Sequence, residues 1–200
     1  MFASKQDLRN QIKNRRKKLS DKYISVNSKI IFTKLINFID NKKNNIDTRI
    51  ISYWKLFGEP DLTQFNEWLI KNGYTLFLPK MQETEEFKIY KLDELSHLKQ
   101  NKYKIYEPIQ NVEFEFNQIQ DNTTIILCPG LAFDKSGKRI GFGMGCYDKF
   151  FFKHPEKKFY KIGITFNFGL FEHIPFFEKT DVFMDCIFTQ NKTCIINKLV

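Results

Sequence analysis

The order of elements between Arg49 and Leu78 constrains the fold most. Arg49-Ile50-Ile51-Ser52-Tyr53-Trp54 is an apolar run rich in β-formers, broken by Phe57-Gly58-Glu59-Pro60. Asp61 then caps a helix that turns Leu62, Phe65 and Leu69 inward, and Gly73 closes it. Tyr74 to Leu78 is a second strand, stopped by Pro79. Strand, glycine-containing loop, helix and strand in this order make a βαβ unit, which requires parallel pairing. In such sheets the loops at the carboxyl ends of the strands carry ligands, so Trp54 and Glu59 fall in the site region. The plainer alternatives are core for Trp54 and a solvated turn for Glu59.

The remaining segments agree with an α/β chain. Ser4 and Asp7 resemble a capping box, and Leu8, Ile12 and Leu19 give an amphipathic helix over about residues 5–19. Ser20 starts a second helix with Ile24, Ile30, Ile31, Leu35 and Ile39 on one face. Residues 86–91 alternate like a strand, 93–99 read as a short helix, 103–108 as extended, and 110–123 as a surface connection. Thr124 to Leu127 is a buried strand, Tyr147 to Lys153 a helix, and Phe159 to Phe166 a core strand. Asp181 and Asp185 flank a tight turn into a last strand, Cys186-Ile187-Phe188, and residues 192–200 read as a tail. At 200 residues and 24.0 kDa, one domain spanning 1–200 is expected.

Between Cys128 and Phe150 the pattern changes to CPGLAFDKSGKRIGFGMGCYDKF. Gly137, Gly141, Gly143 and Gly145 let the backbone turn and approach a ligand closely, which marks the stretch as a loop too glycine-rich for core. Backbone N–H groups in such a loop can face phosphate. The spacing lacks both the dinucleotide fingerprint and the Gly-Lys-Ser/Thr of a P-loop. What remains is a phosphate nest with Arg139 at one end and Asp148 on the first turn of the next helix. A guanidinium can clamp phosphoryl oxygens and a carboxylate can hold magnesium. A glycine-rich structural turn is the alternative. Arginine occurs at only Arg9, Arg15, Arg16, Arg49 and Arg139, so its use in this loop hints at a need for its bidentate fork.

The net charge of +9 raises nucleic acid as a partner, with Lys13 to Lys18 (KNRRKK) as the contact. The lysines are spread along the whole chain, however, and no nucleic-acid role is expected. Lys5 and Arg9 stand out as a cationic ridge at i and i+4 near a helix N-terminus, where positive charge opposes the helix dipole. Cys128, Cys146, Cys186 and Cys194 show no C-x-x-C spacing and are expected as free thiols. His97, His154 and His173 stand beside no nucleophile, which leaves a Ser-His or Cys-His hydrolase without support. With no membrane span and no secretory signal in MFASKQDLRNQ, a cytoplasmic protein is expected, with no membrane association and no obligate protein partner.

The stretch PGLAFDKSGKRIGFGMGCYDKF resembles the signature of the 5-formyltetrahydrofolate cyclo-ligase family. Pro-Gly-Leu-Ala-Phe-Asp, Gly-x-Arg-Leu-Gly and Gly-x-Gly-Tyr-Tyr-Asp recur there in that order. Similar matches reach nearly the full chain: Lys5 and Arg9, Glu59 and Asp61, Leu78-Pro79, Glu107-Pro108, and Asp181 with Asp185. The departures are Cys146 where tyrosine is usual, Ile140 for leucine and Lys149 for a frequent arginine.

The resemblance implies a Rossmann-like three-layer α/β sandwich with a mostly parallel central sheet. It also implies ATP as co-substrate, Mg2+ as cofactor and a reduced folate as substrate. ATP contacts would fall on Lys5, Gln6, Asp7, Leu8 and Arg9, and on Arg139, Ile140, Gly141, Phe142, Gly143, Met144, Gly145, Cys146 and Tyr147. Magnesium would fall on Asp148 and Asp181, folate on Trp54, Glu59 and Tyr147, and the catalytic cations would be Arg139 and Lys5. Which of Asp134, Asp148, Asp181 and Asp185 touches metal and which orders a loop stays open in the sequence.

Overall fold

The computed structural model of the chain describes residues 2–40, 48–56, 58–82, 86–101, 105–109, 124–155, 158–176, 178 and 181–198. Among the described residues four α-helices, α1 (Lys5–Lys17), α2 (Asp21–Asp40), α3 (Thr63–Lys71) and α4 (Cys146–Lys153), accompany the strands. In chain order the strands are β1 (Arg49–Ile51), β2 (Thr75–Met81), β3 (Phe87–Leu92), β4 (Leu98–Gln100), β5 (Tyr106–Pro108) and β6 (Thr124–Pro129). They continue with β7 (Ala132–Asp134), β8 (Arg139–Ile140), β9 (Phe159–Ile164), β10 (Leu170–Phe171), β11 (Cys186–Phe188) and β12 (Thr193–Ile195).

Seven strands form the main sheet in the order β12-β11-β9-β6-β1-β2-β3. The five inner strands are parallel, and β3 and β12 close the edges in antiparallel sense. A parallel sheet must be covered on both faces, and β6 shows why this one is. Its Ile125 and Leu127 join α2 and α3 side chains such as Leu35, Phe65 and Leu69. The alternating Ile126 and Cys128 face the opposite layer with Phe150 and Phe151 of α4. The result is the three-layer α/β arrangement. Helix α1 stays off this sheet. Its Leu8 and Ile12 pack on Leu131, Ala132 and Ile140, part of a second sheet ordered β10-β7-β8.

Local chemistry explains the boundaries. Ser4 accepts the Asp7 N–H at 3.0 Å and starts α1. The Asp61 carboxylate takes the N–H and hydroxyl of Thr63 at 2.9 and 2.7 Å, so it opens α3 from just outside the helix. Gly73 closes that end with φ +79°.

Several expectations need correction. Strand β2 runs through Pro79 to Met81, because β1 ends opposite Phe77 and a missing N–H beyond that point forfeits no ladder bond to it. Strand β1 stops at Ile51, although the Ser52 N–H still reaches Phe77 O at 2.9 Å. Residues 93–99 form a 3-10 turn (Leu95–His97) running into β4. The expected tail contains β12, held by antiparallel pairing to β11. Ile30 is 41 % exposed, since Ile31 takes the inward position on α2. Residue 57, residues 103–104 of the expected extended piece, the connection 110–123 and residues 199–200 of the expected tail lie outside the described residues.

The largest correction concerns the glycine-rich stretch, whose first half is core. Leu131, Ala132, Phe133 and Asp134 are all fully buried. A Cβ at Gly130 or at Gly163 would lie 2.5 Å from the Phe133 ring, so these glycines make room for an aromatic side chain. Overpacking a filled core costs about 1–3 kcal/mol. Gly163→Ala is therefore expected to lower unfolding free energy by about that amount in chemical denaturation; an unchanged midpoint would show that Phe133 can move aside.

Candidate active site

After β1 the chain crosses over to β2 on one side, whereas β6 pairs on the other side of β1. Connections diverge at such a switch point and leave a crevice at the carboxyl strand ends. Here the crevice is an open cleft of about 1410 Å³. The loop after β1 contributes Trp54 and Glu59 to it, and α1 contributes Lys5 and Arg9. The glycine loop with the start of α4 and the segment holding Asp181 complete the rim.

The cationic ridge of α1 is buttressed by the elements facing it. Lys5 Nζ donates to Glu178 Oε1 at 2.9 Å and to both Asp181 carboxylate oxygens at 3.1 Å. Arg9 Nε donates to Gly141 O at 3.1 Å and Lys13 Nζ to Phe142 O at 3.4 Å. These carboxylates and carbonyls offset the unfavourable dipole position. In the loop itself Gly143 has φ +118°, a conformation that side chains rarely adopt. Gly145 caps α4 in the left-handed region with no side-chain hydrogen bond. Gly145, Cys146, Tyr147 and Asp148 at the start of α4 line the cleft, and the positive end of a helix dipole there favours an anion.

Arg139 lies beneath this loop. Its side chain is 5 % exposed, and Nη2 donates to Asp148 Oδ2 at 2.7 Å. Its guanidinium carbon stands 5.2 Å from the Tyr147 ring centroid. Across the cleft Trp54 packs on Tyr106 with centroids 5.2 Å apart, forming an aromatic wall. Beside it Glu59, 1 % exposed, accepts the Leu56 N–H at 2.9 Å and pairs with Arg16 at 3.4 Å. Burial pushes the Glu59 carboxyl up, and the adjacent Arg16 guanidinium pulls it back. Burial likewise lowers Arg16, with Glu59 acting in the opposite direction.

The fold brings Lys5, Arg9, Trp54, Glu59, Arg139, Asp148, Asp181 and the run Gly141 to Tyr147 to one cleft. Gln6, Asp7, Leu8 and Ile140 do not line it. Gln6 steadies Arg9 through a 3.4 Å hydrogen bond, whereas Leu8 and Ile140 are buried in the hydrophobic cluster under α1. Residues left without a site role by sequence reasoning are Tyr106 and Phe87 of the cleft wall, Glu178 and Arg16, and Glu107, which stood out only as a family match, lines the cleft too. Arg16 could have been noticed: positions 5, 9, 13 and 16 recur at helical spacing, and all carry cations.

The four aspartates separate cleanly. Asp134 is fully buried and accepts from Ser136 N, Ser136 Oγ, Lys138 N and Ile174 N, so it orders the β7 turn. Asp185 takes the Lys161 N–H and the Asn197 amide and pairs with Lys161 at 3.0 Å, which ties β9 to the C-terminal strands. Asp148 and Asp181 are the two that line the cleft. Among the described residues no group of three or more His, Cys, Asp or Glu could hold a metal ion. Two hard oxygen donors still fit Mg2+, which commonly takes one or two carboxylates and completes its shell with water and substrate phosphate.

The strand order and the cleft at the switch point define an α/β protein that sets cationic side chains and a helix N-terminus beside an aromatic wall. The chain belongs to the 5-formyltetrahydrofolate cyclo-ligase family, whose pattern matches residues 1–190. It is 31 % identical to 5-formyltetrahydrofolate cyclo-ligase of Saccharomyces cerevisiae, over 93 % of this chain and 95 % of the relative. It is 25 % identical to a probable 5-formyltetrahydrofolate cyclo-ligase of Caenorhabditis elegans, over 98 % and 97 %. The solution structure of Aquifex aeolicus 5,10-methenyltetrahydrofolate synthetase superposes with a TM-score of 0.80 at 26 % identity, covering 98 % of this chain and 94 % of that one. The Mycoplasma pneumoniae 5,10-methenyltetrahydrofolate synthetase gives 0.69 at 26 % identity, covering 92 % and 97 %.

Replacing Asp134 by alanine leaves the buried Ile174 N–H and three part-buried donors of the β7 turn without their acceptor. An unsatisfied buried donor costs about 1–3 kcal/mol. Asp134→Ala is expected to cost about 3 kcal/mol in chemical denaturation; wild-type stability in that variant would remove the residue from its structural role.

Proposed function

We propose that the chain catalyses the ATP-dependent cyclisation of 5-formyltetrahydrofolate to 5,10-methenyltetrahydrofolate, releasing ADP and phosphate. One observation carries this reading: a single cleft holds an anion cradle and an aromatic, acidic wall side by side. Lys5, Arg9 and the loop from Gly141 to Tyr147 form the first, and Trp54, Tyr106 and Glu59 the second. Small-ligand sites usually enclose about 300–1,000 Å³, and the 1410 Å³ here leaves room for a nucleotide and a folate together.

The formyl oxygen is a poor leaving group until it is phosphorylated. In the proposed reaction the γ-phosphoryl group of ATP moves to that oxygen, giving an imidate phosphate and ADP. N10 then attacks the activated carbon, the ring closes and phosphate departs. Such a transfer needs alignment and charge neutralisation more than a protein nucleophile. In keeping with that, none of the three histidines lines the cleft. Lys5 and Arg9 would receive the polyphosphate, with the α4 N–H groups and Arg139 facing the transferred group. Lys5 would leave Asp181 and Glu178 for phosphate, and Arg139 would loosen from Asp148. The two freed carboxylates, Asp148 and Asp181, would hold Mg2+, which supplies neutralisation of the phosphate oxygens when bound. Trp54, Tyr106 and Tyr147 would flank the pterin, and the Glu59 carboxylate would accept its N–H donors.

None of the described helices is long and apolar enough to cross a membrane, and all four cysteines are free thiols. We propose a cytoplasmic location for the chain, acting on small molecules as one domain over residues 1–200.

Purified protein given MgATP and 5-formyltetrahydrofolate should develop the near-ultraviolet absorbance of the methenyl product; no product across several buffers would sink the reading. Arg139→Ala should lower kcat/KM by about 100-fold or more, the usual cost of losing a transition-state charge partner; near-normal turnover would take Arg139 out of the mechanism. Asp148→Asn should raise the magnesium concentration for half-maximal rate about tenfold, and an unchanged titration would refute that ligand.

A further inference from the structure

Arg16 serves none of the roles assigned so far. It lies in the last turn of α1, is 2 % exposed, and does not line the cleft. It nevertheless touches three of the segments that build the site. Nη1 donates to Glu59 Oε1 at 3.4 Å, on the loop after β1. Nη2 donates to the Gly130 carbonyl, on the loop after β6. The guanidinium carbon stands 5.7 Å from the ring centroid of Phe142, in the glycine loop. The loop after β1 closes tightly over this side chain: Gly58 has φ +73°, and a Cβ there would sit 2.7 Å from Arg16 Cβ.

We propose that Arg16 is a positioning residue for the folate half of the cleft, holding the Glu59 side chain as an oriented carboxylate toward the bound pterin without touching substrate. The inference rests on the reading that Glu59 accepts hydrogen bonds from folate.

A carboxylate in so buried a place needs a cation to stay charged. The groups that face Glu59 are Arg16 from α1, Tyr53 and the Leu56 N–H from its own loop, and Tyr147 from α4. Arg16 is the cation among them. The Leu56 N–H fixes Oε2 at 2.9 Å, so Arg16 determines both the charge of the group and the direction of Oε1. Arginine suits the task because its fork reaches Glu59 and the Gly130 carbonyl at once, which a lysine ammonium on one flexible stem does less well. Its place in the last turn of α1 also agrees with the helix dipole. Helix α1 thus serves both halves of the cleft, with Lys5 and Arg9 toward the phosphates and Arg16 toward the folate.

The sign of the pH effect follows from the carboxyl group. Without Arg16, Glu59 would take up a proton at higher pH and lose its ability to accept both pterin donors. Rates for wild type, Arg16→Met, Arg16→Lys, Glu59→Gln and the Arg16→Met/Glu59→Gln double variant should be measured against both substrates from mildly acid to mildly alkaline pH. A hydrogen bond to a charged group is worth about 1.5–3 kcal/mol, so Arg16→Met should raise the folate KM by about 10- to 100-fold. The ATP KM should move less than about threefold, within ordinary mutational scatter. The acid limb of kcat/KM for folate should shift to higher pH in Arg16→Met and return toward wild type in Arg16→Lys, which keeps the charge. In the Glu59→Gln background, Arg16→Met should have little further effect on the folate KM.

Equal rises in both KM values, an unmoved acid limb, or a full additional penalty in the double variant would overturn the role. If Arg16→Met does not fold, Arg16→Lys decides: a folate KM and pH profile both identical to wild type would overturn it, and a selective rise in folate KM would support it. Absence of turnover in wild type defeats the proposed activity itself. An active wild type with folate binding indifferent to Arg16 defeats this inference alone.

Discussion

The site depends on one piece of backbone geometry, the parallel pairing of β1 with β6 while their chains leave in opposite directions. Because β1 crosses to β2 and β6 sits on the other flank, two connections diverge and cannot fill the space between them. Glu59 and Trp54 follow the first strand; the glycine loop and α4 follow the second. A sheet wound in one direction would have carried the same residues to separate places.

Helix α1 completes the cleft because it packs on the small β10-β7-β8 sheet. That seat is apolar on one side through Leu8, Ile12, Leu131 and Ile140, and it leaves the cationic side against the glycine loop. Phe133, wedged where Gly130 and Gly163 leave room, anchors the small sheet to the main one. The packing of a buried aromatic side chain is thereby coupled to the position of the glycine loop.

Three ion-pair groups stand at or behind the cleft: Lys5 with Asp181 and Glu178, Arg139 with Asp148, and, behind its lining, Arg16 with Glu59. The pair between Lys5 and the exposed Glu178 contributes little, about 0–1 kcal/mol, and can be exchanged for ligand contacts at small cost. The Arg16–Glu59 pair is different. Both partners are desolvated, and removal of either leaves an uncompensated buried charge, typically at a cost of about 3–5 kcal/mol. An exchangeable pair thus sits where the nucleotide is proposed to bind, and a fixed pair lies behind the aromatic wall.

Much of the site was legible in the residues. The βαβ order predicted a parallel sheet, the chain's resemblance to the family covered Lys5, Arg9, Trp54, Glu59, Arg139, Asp148 and Asp181, and all of these line one cleft. Less legible were features that depend on which side of a segment faces a neighbour. Arg16 read as part of a basic tract, since nothing local distinguishes a buried guanidinium from a solvated one. Asp134 and Asp148 lie in the same short motif, yet one is enclosed by turn N–H groups and the other opens to the cleft. Gly130 and Gly145 are chemically identical, but one makes room for Phe133 and the other begins α4. By itself the sequence determined the elements and the kind of chemistry available, because backbone propensity and side-chain type are local properties. Only the tertiary structure decided which charges are paired, which glycines serve the core and which the ligand, and that Arg16 stands behind Glu59, because those depend on contacts between segments far apart in the chain.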